Sequence, residues 1–330
     1  MKTSHRTHPV VVITGASAGV GRAVARRFAR AGAKLGLIAR DEEALQEMRR
    51  DLTGAASFAY RPLDVSNAQD VFAAADAFER DLGPIDIWVN DAMVTVFSPV
   101  HEMTPEEFHR VTEVTYLGVV HGCMAALKHM RARNNGHIIN IGSALAYRGI
   151  PLQSAYCGAK HAIRGFTAAL RSELEHEKSG IALTMVQLPA MNTPQFNWAR
   201  THMPDEPRPM GTIYQPEAAA EAVFQATHTR PKEYWVGLST FMTVIGNMVA
   251  PALMDKFLAR TAVKGQETSV PVQPERKDNL FDPVTPLHRT HGSFGRRAKP
   301  KAFFADGQAL RAAVVMAGAA VFFVLGRIIP

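Results

Sequence analysis

The chain has 330 residues, 47% of them hydrophobic, with 37 Lys and Arg against 30 Asp and Glu for a net charge of +7. A sizeable core can be buried. The positive balance suits an anionic ligand or membrane surface, but no aromatic-studded basic stripe accompanies it, which argues against nucleic acid. The two cysteines, Cys123 and Cys157, exclude a disulfide framework and have no metal-ligand spacing, so no metal is expected. Residues 1–9 are polar and are not a secretory signal, which places the folded part in the cytoplasm.

Residues 10–14 form a β-branched run ending at glycine and predict a buried strand. Val20, Val24 and Phe28 recur at helical spacing over 19–31. The alternation continues with a strand over 34–39, a helix over 42–52, a strand over 57–61 and a helix over 68–82 closed by Gly83-Pro84. A fourth strand follows over 85–90, a long helix over 105–130, a strand over 137–142, a helix over 154–177 and a sixth strand over 181–187. Strands alternating with helices predict an α/β fold, a doubly wound parallel sheet of the Rossmann type with ligands beyond the carboxyl ends of the strands. Residues 189–215 are proline-rich without a period and read as a loop or lid. A helix over 216–227 and a last strand over 234–236 complete the pattern. The uncharged stretch 234–254 reads as a buried helix at a subunit contact or pocket wall.

The chain is therefore divided into a catalytic domain, 1–262, and a C-terminal extension. Residues 263–306 are rich in proline and charge and read as a mostly disordered linker. Residues 307–330 form an apolar helix. Its uncharged run 312–326 reaches about 22 Å, short of a hydrocarbon core of about 30 Å. Flanking arginines narrow the gap, so the segment is read as a membrane tether, the alternative being a helix docked on protein.

Thr14-Gly15-Ala16-Ser17-Ala18-Gly19-Val20-Gly21 joins the first strand to the first helix. Glycines there allow close approach of a pyrophosphate, and the helix N-terminus offers free N–H groups. At the end of strand two stands Arg40, which can pair with a 2′-phosphate, favouring NADP(H) over NAD(H). Asp41 follows and has the alternative of capping the next helix. Tyr156 and Lys160 lie four residues apart, on one helix face. A neighbouring ammonium lowers a phenol's pKa, so Tyr156 can exchange a proton with a carbonyl or alcohol oxygen. Ser143, ending strand five, can donate to the same oxygen.

Together these motifs closely resemble the short-chain dehydrogenase/reductase family over about residues 8–240. The resemblance also rests on Asp64-Val65 after strand three, Asn90-Asp91-Ala92 after strand four, and Pro189 with Thr193 after strand six. It implies an oxidoreductase acting on an alcohol/carbonyl pair. Tyr156 is then the acid/base, Lys160 holds the nicotinamide ribose, and Ser143 polarises the substrate oxygen. The resemblance further implies that Gly15, Ser17, Gly19, Val20 and Gly21 cradle the phosphates and Asp64 and Val65 border the adenine. Asn90 and Ala92 support the coenzyme-side backbone, Pro189 and Thr193 meet the carboxamide, and chains pair as a homo-oligomer. Three departures from the family stand out: Thr115 replaces a relay asparagine, Asp91-Ala92-Met93 replaces asparagine-alanine-glycine, and Ala190 replaces a glycine. Thr115 is kept as a weaker relay, and the departures leave open a catalytically impaired dinucleotide-binding or scaffold protein. Leu145, Tyr147, Met191, Phe196, Trp198 and Met203 are expected to border an apolar substrate.

Overall fold

The computed structural model describes residues 8–328, with side chains described through 316 and at 319. Residues 1–7, on which most of the leader reading rests, and 329–330 lie outside the described residues.

Among the described residues, eight strands form one sheet: β1 (Val10–Thr14), β2 (Lys34–Ala39), β3 (Ser57–Pro62), β4 (Ile85–Asn90), β5 (Gly136–Ser143), β6 (Ile181–Leu188), β7 (Glu233–Val236) and β8 (Phe304–Asp306). Their spatial order is β8-β7-β6-β5-β4-β1-β2-β3, all parallel except β8, which pairs antiparallel with β7. The order reverses between β1 and β4, which opens a crevice at their carboxyl ends.

Period-two burial explains the layers. Val11, Ile13, Leu35 and Ile139 face one core with α1 (Gly19–Arg30) and α8 (Pro216–Thr229). Val10, Val12, Ile38 and Ile138 face the other, under α3 (Ala68–Leu82), α5 (Gly118–Arg133) and α6 (Ser154–His176). Local signals fix the helix starts. Asp41 caps α2 (Glu42–Glu47), its carboxylate accepting from the Ala44 amide at 2.9 Å. Thr104 and Glu107 form a reciprocal box at the start of α4 (Pro105–Val111).

Three expectations need correction and a fourth finds no support. The helix expected over 105–130 is interrupted by a π-helical stretch, Thr112–Leu117, between α4 and α5. There the Thr115 hydroxyl donates to the Val94 carbonyl at 2.8 Å and accepts from its amide at 3.0 Å, tying the wide turn to the loop after β4. The uncharged stretch 234–254 is not one buried helix. It holds β7, then α9 (Leu238–Val249), of which only Thr240 and Val244 are buried, then the start of α10 (Pro251–Gly265).

Residues 263–306 are not a disordered linker. Glu267–Pro271 pairs with Asp205–Pro207, Leu280 is fully buried, and β8 extends the sheet. Scattered single hydrophobics and side-chain bonds to the domain, rather than any period, hold this stretch. Finally, among the described residues no helix is long and apolar enough to cross a membrane, and the tether reading finds no support there. The first turns of α11 (Gly307–Ile328) dock on the sheet edge, where Arg311 reaches the buried Glu233 and Tyr147.

Candidate active site

A cavity of about 400 Å³ lies at the carboxyl ends of the strands. The turn after β1 forms its floor. Gly15 has φ +70°, and a Cβ there would lie 2.8 Å from the Ala92 Cα. At Gly21 a Cβ would lie 2.3 Å from the Gly15 carbonyl oxygen. Both positions therefore exclude side chains, which keeps the turn tight and lets a ligand approach its backbone closely, although the Gly19 amide donates to the Arg289 carbonyl at 3.0 Å. The Thr14 hydroxyl accepts from the amides of Asp91 and Ala92 at 3.1 and 3.2 Å, locking the β4 loop against the turn. This is a cradle that fits the pyrophosphate of a dinucleotide.

Gly15, Ser17, Gly19, Val20, Arg40, Asp64, Val65, Ala92, Ser143, Tyr156, Lys160, Pro189 and Thr193 all line the cavity, as do Leu145, Met191 and, from the short helix α7 (Gln195–Trp198), Phe196 and Trp198. Other expected residues do not. Gly21 stands behind the turn. The Asn90 side chain is buried beneath it, accepting from Trp88 Nε1 at 2.8 Å and donating to Asn140 at 2.9 Å, so its support is through the backbone. Tyr147 is not in the substrate wall. Its hydroxyl donates to Glu233, and its ring packs on Trp235 and under Arg164. Met203 packs with Phe97 and Ala199 instead. Thr115 is fully buried with its hydroxyl committed to Val94, so it is removed from the catalytic set.

Lys160 is buried and its ammonium donates to the Ile141 carbonyl at 2.7 Å, 5.5 Å from the centre of the Tyr156 ring. The expected acidification of Tyr156 is not found. Burial pushes the phenol above its ordinary value, against the opposing hydrogen bond of Ser143. Burial also lowers Lys160 to about 8, while Asp91 works to raise it.

Asp91 lines the same cavity. Burial pushes its carboxyl up to about 7, against Lys160 and the Gly21 amide. Sequence reasoning noted Asp91 only as a departure beside Met93 and missed its charge next to Lys160. Asp64 is turned to Arg110 and Ser66. Burial opposes its ionisation, but those bonds outweigh it and hold the carboxyl below the usual range.

The far rim is the largest omission. Asn279, Pro283, Val284 and His288, from the stretch expected to be disordered, close the cavity over Arg40 and Ser17, and Met254 and Phe257 of α10 extend its apolar side. A proline- and charge-rich composition carries no signal for such a role.

A doubly wound sheet with a glycine cradle and a Ser, Tyr and Lys set at its switch point is the architecture of a nucleotide-binding oxidoreductase. Residues 9–203 match the family described as short chain dehydrogenase, and the chain belongs to it. It is 33% identical over 282 residues to the uncharacterized oxidoreductase YxnA of Bacillus subtilis, covering 84% of this chain and 79% of that one. It is 28% identical to a fatty acyl-CoA reductase of Acinetobacter baylyi, over 82% of this chain and 93% of the relative. Among solved structures it is similar to an alcohol dehydrogenase from the archaeon Thermococcus sibiricus complexed with 5-hydroxy-NADP. That match has a TM-score of 0.58 and 27% identity, over 69% of this chain and 95% of the other. The family binds NAD(P) and acts on small molecules.

Proposed function

We propose that this oxidoreductase interconverts a hydrophobic alcohol and its carbonyl with NADP(H), using Tyr156 as general acid and base. The observation that carries the reading is the meeting of Ser143, Tyr156 and Lys160 with the glycine turn in one cavity. Bound there, the nicotinamide coenzyme supplies hydride to the carbonyl carbon or takes it from the alcohol carbon. Tyr156 gives its proton to the substrate oxygen in reduction and takes it back in oxidation. Burial keeps the phenol protonated, which suits the donor role. Ser143 holds the same oxygen by a second hydrogen bond. The Lys160 charge favours phenolate as it forms and offers N–H donors to ribose hydroxyls. Thr115, sealed on Val94, takes no part in returning that proton. That sealed hydroxyl also favours the second reading, a binding module that has lost its chemistry; hydride transfer in the Tyr156→Phe variant separates the two.

The carboxylate of Asp91 gives this site a pH signature. Carbonyl reduction needs a positive Lys160, so kcat/KM falls as pH rises through about 8. Asp91 supports that proton. In Asp91→Asn the support is gone, Lys160 loses its proton earlier, and the alkaline limb moves to lower pH, by roughly one unit. A pH–rate profile checks this; a limb at the wild-type position would show that Asp91 does not act on Lys160.

Leu145, Met191, Phe196, Trp198, Met254 and Phe257 make the substrate side apolar, and the likeness to a fatty acyl-CoA reductase agrees with a long-chain substrate. Decanal is expected to exceed a charged carbonyl of similar length in kcat/KM by at least about tenfold, since burying an unpaired charge against that apolar wall costs several kcal/mol. Preference for the charged compound would remove the apolar assignment. The reading includes pairing of chains through α4 and α5, where Phe108 and Met124 stand exposed.

A further inference from the structure

We propose that residues 276–294 form a clasp that closes over the adenosine half of the bound coenzyme, with Arg40 shared between the clasp and the coenzyme. The inference rests on the coenzyme reading above. It assigns a positioning role to a segment outside the matched family region, 9–203.

The clasp is stitched to the site along its whole length. Arg40 donates from Nη2 to the Asn279 carbonyl at 2.5 Å and from Nη1 to those of Phe281 and Leu280 at 2.7 and 3.4 Å. Thr285 donates to the Asp41 carboxylate at 2.6 Å. His288 Nδ1 lies 2.9 Å from the Ser17 hydroxyl. Beyond it the Gly19 amide donates to the Arg289 carbonyl at 3.0 Å, Arg22 to that of His288 at 2.6 Å and Arg26 to the Thr290 hydroxyl at 2.8 Å. The Gly292 amide donates to the Asn192 carbonyl at 3.0 Å. The clasp also holds the loop after β6. Arg276 donates to the Ala199 and Phe196 carbonyls, and the His288 ring packs on Trp198 with centroids 5.1 Å apart. One element thus touches both the coenzyme turn and the substrate wall.

Two features decide between a clasp and a plug. The cavity persists between the segment and the turn, lined by both. And the side chains that the segment turns inward are neutral: Asn279, Pro283, Val284 and a His288 held below its ordinary pKa by burial, while its Arg289 carbonyl, on the Gly19 amide, is a contact that a coenzyme phosphate would displace. A plug imitating phosphate would present a carboxylate to the turn. Instead Asp278 is paired with Arg200, and Asp282 is exposed. An apolar wall with neutral hydrogen-bonding groups suits a purine. Arg40 has five N–H groups. Three contacts go to the clasp, and the rest are available to a 2′-phosphate.

The test measures NADPH dissociation from the full chain by trapping, with nicotinamide fluorescence as signal, alongside amide exchange over 279–291. The variants are Thr285→Ala with Thr290→Ala, which removes two stitches, and Gly292→Ala, whose Cβ would meet the Thr193 carbonyl oxygen at 2.3 Å and push the segment away. Thermal melts confirm folding. The clasp predicts that NADPH slows exchange over 279–291 and that both variants release NADPH about tenfold faster. Tighter NADPH binding in the variants would make the segment a competitor, and unchanged release with unchanged exchange would make it a bystander; either overturns the proposal. Failure of the wild-type chain to bind NADPH at all would instead strike the coenzyme reading, and the clasp with it.

Discussion

Tyr156→Phe is expected to slow single-turnover hydride transfer by about 10²–10⁴-fold, the usual contribution of a positioned acid/base, while leaving NADPH affinity close to that of the wild type. The substitution deletes one hydroxyl and keeps the ring. The packing of α6 and the Lys160 bond to Ile141 do not depend on that hydroxyl. What is lost is the phenolic proton that Tyr156 brings to the cavity. Ser143 remains, but its hydroxyl accepts from the Leu145 amide at 3.1 Å and is placed to orient an oxygen rather than to supply its proton. Rapid mixing of the protein–NADPH complex with decanal, followed by quenching, checks the prediction. Equal rates in the two proteins would favour the binding-module reading.

Arg40→Asp is expected to lower the NADP/NAD ratio of kcat/KM by about 10–10²-fold, because a charge-assisted hydrogen bond is worth about 1.5–3 kcal/mol and a carboxylate would add repulsion. The competing carboxylate at the end of β2 is already occupied. Asp41 caps α2 and accepts from Thr285, so it is not free to bind ribose hydroxyls. Since Arg40 also bonds the Asn279, Leu280 and Phe281 carbonyls, its loss weakens the hold on either coenzyme, and the ratio is the quantity to read. An unchanged ratio would remove the 2′-phosphate assignment.

The sequence made the parallel sheet legible because buried strands and amphipathic helices have strong periods, and β1 through β6 fall where those periods place them. The glycine turn and the Ser143, Tyr156, Lys160 set were legible because chemistry demands those residue types at fixed spacing. Three things were not. The π-helical stretch at Thr112–Leu117 depends on a hydroxyl bond from Thr115 to a distant loop, which leaves the helical pattern intact. Tyr147 looked like a pocket aromatic, but its partner Glu233 comes from the distant strand β7 and its other neighbour, Arg311, from the C-terminal helix. The clasp was hidden because much of what holds it is bonding from domain side chains such as Arg40 and Arg22 to its backbone carbonyls, and carbonyls leave no mark in a sequence.

The central claim is that the cavity brings a bound coenzyme, a protonated phenol and an apolar carbonyl together. The most direct measurement is a single turnover in which protein-bound NADPH meets a panel of aldehydes and ketones, with loss of nicotinamide fluorescence and formation of the alcohol followed together. The account predicts stoichiometric alcohol from the apolar members. Tight NADPH binding with no alcohol from any of them would contradict it.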